Sequence, residues 1–161
     1  MHDIQLFGRL EVRTRGLRLS GDDLGGARPR RLLALLALRG ERSLVELADT
    51  LGVSTTTVKD DLAVLRDHLD PDARRHDSVI TTHRGRVRLV AERVHVDTDT
   101  FDGLLAAAAG RPPARAARPL AAAAVLASRP LLEDEDAPWA AEARAEYRAK
   151  LIMASDPQPV W

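Results

Sequence analysis

Two helix starts flank a single glycine about a third of the way along the chain, and this arrangement constrains the fold more than any other feature. Ser43-Leu44-Val45-Glu46 has capping-box spacing, in which the serine and glutamate side chains satisfy free backbone amides at a helix start. Leu44, Leu47 and Leu51 then share one helical face, and Gly52 suits a left-handed helix end. Ser54 opens a second helix whose Val58, Leu62, Leu65 and Leu69 step by four, three and four into one apolar stripe, before Pro71 stops it. From Leu47 to Leu62 the run follows a helix-turn-helix pattern: Ala48 is small where two helices cross, Gly52 turns, Val53 plugs the corner and Ser54 caps. The plainer reading of the same run is a helical hairpin without a ligand.

The flanks extend the pattern. Ile4, Leu6, Leu10, Val12, Leu17 and Leu19 alternate with polar residues, punctuated by Gly8 and Arg15-Gly16, which predicts short antiparallel strands. Gly21 to Gly26 reads as a loop. Arg30 to Leu38 is apolar on most faces, which predicts a buried helix ended by Gly40. Beyond the glycine-centred pair, Ser78 to Thr82 and Arg86 to Val90 alternate around Arg84-Gly85 and predict a hairpin. From Asp97 the chain reads as helical only, with Ala-rich stretches at 100–109, 115–128 and 137–153 and a frayed tail at 156–159. The expected fold is α+β: a winged helix-turn-helix with an N-terminal antiparallel sheet over residues 1–95, followed by an all-α segment over 96–161. Phe101, Leu104, Leu105, Trp139, Tyr147 and Leu151 are the expected buried set of that segment, packed on the first domain or across a homodimer.

Charge narrows the partners. The 161 residues carry 24 Lys plus Arg and 24 Asp plus Glu, balanced within both halves, so any nucleic-acid binding has to come from a local patch. Nearly all the positive charge is arginine, Lys59 and Lys150 being the two lysines. Without cysteine there is no disulfide scaffold, thiolate metal site or cysteine nucleophile. No apolar run approaches the ~20 residues that span a bilayer, and the first residues lack the pattern of a secretory signal, so a cytoplasmic protein with no membrane partner is expected.

The run from Leu51 to Leu62 resembles the winged helices of many bacterial repressors. Over nearly the whole chain, the order of motifs resembles the Streptomyces antibiotic regulatory protein family. The residues are Ile4-Gln5-Leu6-Phe7-Gly8, Arg30-Arg31-Leu32-Leu33-Ala34-Leu35-Leu36, Leu65-Arg66, Val96-Asp97 to Phe101, Arg129-Pro130-Leu131-Leu132 and Trp139 to Leu151. The later motifs resemble the opening of that family's bacterial transcriptional activator domain, here shortened. The resemblance implies a transcriptional regulator that binds repeats beside promoters and contacts RNA polymerase.

The candidate contacts to double-stranded DNA follow from chemistry and position. Thr55, Thr56 and Thr57 stand at the N-terminus of the third helix, where hydroxyls and free amides suit a phosphate, or they serve only to cap it. Lys59 and Arg66 lie on one flank of that helix. Arg84 and Arg86, with Arg88, alternate on the hairpin as a phosphate patch, or as a charged edge that blunts strand pairing. At about 100° per residue, the face opposite the apolar stripe presents Thr56, Asp60, Ala63, Val64 and Asp67. Two carboxylates and an exposed Ala63-Val64 pair favour the alternative: a winged-helix module that has lost DNA binding and acts through another regulator.

Enzyme chemistry finds no constellation. His2, His68, His76, His83 and His95 include no pair at metal-ligand spacing on one helix, and Gly21 to Gly26 lacks the lysine of a phosphate-binding loop. No cofactor, metal or catalytic residue is expected. The acidic run Glu133 to Asp136 precedes a helix, where its charge suits the dipole.

Overall fold

The computed structural model describes residues 1–73 and 77–156. His76 and the expected tail at 157–159 lie outside them. By contacts the chain divides into two compact units, one of Met1–Leu6 and Leu10–Val96, the other of Phe7–Arg9 and the chain from Asp97 onward.

The first unit is built on two small sheets and three helices. Strands β1 (His2–Gln5), β2 (Glu11–Thr14) and β3 (Leu17–Ser20) pair antiparallel, with Ile4 opposite Val12 and Val12 opposite Leu19. Alternation puts Ile4 and Val12 in the core, and Arg15-Gly16 forms the β2–β3 turn with both residues at positive φ, 51° and 73°. Helix α1 (Ala27–Arg39) buries Leu32 to Leu36 without a break, so its centre is surrounded by protein. Strand β4 (Arg42–Ser43) leads into α2 (Leu44–Leu51), and α3 (Thr55–Leu69) follows directly. Strands β5 (Ile80–His83) and β6 (Arg86–Leu89) make a hairpin, and β4 adds to β6 to give the order β4-β6-β5.

Three expectations need correction. The N-terminal sheet is mixed, because β7 (Val94–Val96) returns to lie parallel to β1, giving the order β3-β2-β1-β7. Three residues of alternation were too few to signal a strand. Gly21–Leu24 is a turn of 3-10 helix rather than a loop: the Ser20 amide donates to Asp23 Oδ2 at 3.1 Å, and Leu24 is fully buried. Strand β4 went unread because its two residues look like a helix approach, and pairing with β6 alone makes it a strand.

The second unit contains α4 (Asp97–Ala108), α5 (Pro113–Leu126) and α6 (Pro138–Ser155). Its centre is an aromatic triad in which Phe7, Phe101 and Tyr147 stand 5.3 to 5.9 Å apart between ring centroids, tilted or edge-on as aromatic quadrupoles prefer. The expected buried set holds for Phe101 and Tyr147, whereas Leu104, Leu105, Trp139 and Leu151 are only half-buried. Phe7, Leu131 and Leu132 take the remaining central places, and Ala116, Ala123, Ala140 and Ala143 are buried along the helices, where small side chains let backbones approach. The segment between α5 and α6 is held by Arg144, which donates to the carbonyls of Leu131 at 3.1 Å and Glu135 at 2.9 Å.

Candidate nucleic-acid interface

Local chemistry sets the geometry of the α2–α3 pair. Ser43 Oγ accepts from the Glu46 amide at 3.0 Å and Glu46 Oε1 accepts from the Ser43 amide at 3.3 Å, closing the capping box. Gly52 takes the left-handed conformation at φ 68°, and Ser54 Oγ accepts from the Thr57 amide at 3.1 Å. Thr57 is therefore engaged in the cap, its hydroxyl 3.0 Å from Ser54 Oγ, while Thr55 and Thr56 remain exposed at the first turn of α3.

Along α3, Val58, Leu62, Leu65 and Leu69 face the core and Lys59, Asp60, Ala63 and Asp67 face solvent. Val64 does not belong to the exposed face: it is half-buried, and a Cβ added to Gly25 would overlap its Cγ1. Asp61 also belongs to the inner side, 5% exposed, with Arg28 Nε 3.5 Å away. Burial raises the Asp61 pKa, against the pull of Arg28. Its position three residues after Val58 was the available signal, since that spacing returns to the apolar stripe.

The arginines divide into two groups. Arg66 Nε donates to the Ile80 carbonyl at 3.1 Å and its Nη2 to Thr82 Oγ1 at 3.0 Å, so this side chain fastens α3 to β5. Arg86 Nε lies 3.0 Å from Glu41 Oε2, and Arg86 Nη1 lies 3.7 Å from Glu46 Oε1. Glu46 itself is held below the usual carboxylate range, first by the Ser43 amide and then by the Ser43 hydroxyl. By contrast, the side chains of Arg84, Arg88 and Lys59 make no ion pair or hydrogen bond among the described residues.

Hairpin register places these arginines. His83 pairs with Arg86 and Thr81 with Arg88, so these four share the outer face while Val87 points into the core. Arg84-Gly85 is the connecting turn, with φ of 51° and 74°. Two positive φ values match the right-handed twist of a two-residue hairpin, but at a non-glycine residue the left-handed conformation costs about 1–2 kcal/mol. Beside the hairpin lies an open concavity of about 820 Å³, lined by Glu41, Thr81, His83 and the side chains of Arg66, Arg84, Arg86 and Arg88.

No group of three or more metal-ligating side chains occurs among the described residues, and no helix among them is long and apolar enough to cross a membrane. No protein-family model and no curated protein matches the sequence.

Proposed function

We propose that the first unit is a winged helix that binds double-stranded DNA and that the chain acts as a transcriptional regulator. In this reading α3 enters the major groove, Thr55 and Thr56 meet a phosphate at its N-terminus, and the β5–β6 hairpin is the wing. The observation that carries it is the concavity beside α3, lined by four arginines and one carboxylate, in which the Arg84 and Arg88 side chains have no partner among the described residues. Such a surface suits a polyanion, since phosphate contacts from arginine and lysine supply most of the affinity of a DNA-binding domain. The motif order that resembles the Streptomyces antibiotic regulatory protein family supports the same reading, with RNA polymerase as the further partner.

A salt-dependent titration against promoter DNA from the protein's own locus tests it. Log affinity should fall linearly with log salt, by about 0.9 in slope for each phosphate contact. Absence of binding at low salt overturns the proposal.

A specific observation favours a second reading, a protein-interaction module acting through another regulator. Asp60 and Asp67 are both exposed on α3 with Ala63 between them. Carboxylates on a groove-facing helix repel phosphates, although one of them can accept from a cytosine amino group. Under this reading Ala63→Arg disrupts a complex with the partner protein, and loss of the hairpin cations has no effect.

A further inference from the structure

We propose that Arg84 and Arg88 grip two separate phosphates of the DNA backbone, and that Arg86, which lies between them in sequence, is withheld from the ligand by Glu41. The inference rests on the DNA-binding reading and assigns the contacts within it.

Three observations converge. The first is occupancy: Arg86 is paired with Glu41 at 3.0 Å and approaches Glu46, whereas Arg84 and Arg88 have no partner among the described residues. A phosphate reaching Arg86 competes with the Glu41 carboxylate for the guanidinium, while a phosphate reaching Arg88 displaces only water.

The second is a comparison between two turns of the same design. Arg15-Gly16 and Arg84-Gly85 both place an arginine in the left-handed region at φ 51°, a conformation that glycine adopts without strain. Arg15 is tied into the fold, its guanidinium donating to the Leu69 carbonyl. Arg84 has the same strained backbone with no intramolecular bond to offset it. Strain kept without an internal contact points to a side chain retained for an external one.

The third is spacing. Arg88 lies two residues beyond Arg86 on the same face of β6, ~7 Å further along the strand, and Arg84 is at the hairpin tip. Arg84 and Arg88 therefore sit at opposite ends of the hairpin, with Arg86, paired to Glu41, between them.

The experiment is a set of anisotropy titrations of the full chain with mixed-sequence duplex DNA at several salt concentrations, beside thermal melts. Arg84→Gly and Arg88→Ala should each flatten the salt slope by about 0.9. Arg84→Gly should melt at the same temperature or higher, which separates lost binding from lost fold. If Arg88→Ala melts early, Arg88→Gln, which keeps most of the stem, provides the same reading. Glu41→Gln should free Arg86, tighten binding and steepen the slope by about 0.9, and this gain should vanish in Glu41→Gln combined with Arg86→Ala. Wild-type binding with unchanged slopes in both Arg84→Gly and Arg88→Gln overturns this assignment and leaves the DNA reading standing. A Glu41→Gln gain that survives removal of Arg86 overturns the withholding of Arg86. A wild-type protein that does not bind the duplex at low salt removes the DNA reading and this inference with it.

Discussion

Arg66 Nε donates to the main-chain oxygen of Ile80 at 3.1 Å, so this side chain clasps α3 to the β5–β6 hairpin. A hydrogen bond from a charged donor to a half-buried carbonyl is worth more than a surface ion pair, because its loss leaves the acceptor without a partner.

Arg66→Ala should therefore destabilise the protein by about 1–2 kcal/mol and speed amide exchange in β5 and β6. Arg66→Lys should restore little, since an ammonium cannot reach Ile80 and Thr82 with two divergent donors. Denaturant unfolding with hydrogen exchange checks this. An Ala variant as stable and as protected as the wild type would show that the hairpin is held elsewhere.

If the first unit binds DNA as proposed, replacing Asp60 and Asp67 by Asn on the exposed face of α3 should strengthen non-specific binding, because two repulsive charges leave the face that would approach the phosphates. The effect should shrink with added salt, as interactions between exposed charges do beyond a Debye length. Unaltered affinity at low salt would mean that this face does not approach the duplex.

Gly25 packs against Val64 and His68 of α3. Gly25→Ala should cost about 2–4 kcal/mol, from a Cβ against Val64 added to a left-handed backbone at φ 97°. Gly52→Ala, at another left-handed glycine (φ 68°) with no neighbouring atom within 4 Å, suffers only the backbone term. Comparing the two unfolding midpoints isolates the packing contribution, and equal losses would contradict it.

His2 makes stability depend on pH. Its Nε2 is 3.2 Å from Asp70 Oδ1, and its Nδ1 is buried without a partner. Burial, the largest influence, holds its pKa below 6.5, with Asp70 opposing and Arg15 adding to the depression. Below pH 6.5 the unfolded chain takes up a proton that the folded imidazole resists, so stability falls with pH until the folded pKa is reached. His2→Gln should remove this component: the loss between about pH 7 and about pH 5 should be smaller than in the wild type. Identical pH profiles would exclude His2 as its source.

In the helical unit, Phe101→Ala should cost about 3–5 kcal/mol, since Phe101 is fully buried between Phe7 and Tyr147. Trp139→Ala should cost less despite the larger side chain, because Trp139 is only half-buried. Urea midpoints of the two variants give the order, and a larger loss at Trp139 would contradict this account of the core.

That contrast shows where sequence reasoning stops. Helical spacing placed Trp139 and Tyr147 on roughly one face, but it carried no information on which end of that face is covered. Phe7 lies ninety-four positions before Phe101, and no periodicity links them. The alternation in β1 and β2 and the hairpin turn at Arg84-Gly85 were legible, because strands and tight turns write their geometry into adjacent residues. Strands β4 and β7 were not, because two or three residues become a strand only when a distant partner supplies the hydrogen bonds.

The sequence by itself determined the ends of the central helices: Ser43 with Glu46, Gly52, and Ser54 with Thr57 act within four residues, so any chain carrying them builds the same caps. Tertiary structure alone decided what the arginines do. Arg66 meets Ile80 across fourteen positions and Arg86 meets Glu41 across forty-five, while Arg84 and Arg88 meet no partner among the described residues. A cap is chosen by dihedral angles and neighbouring amides, which the local sequence specifies. A long cationic side chain is satisfied by whichever carboxylate or carbonyl the completed fold brings within reach, and that choice exists only once the chain has folded.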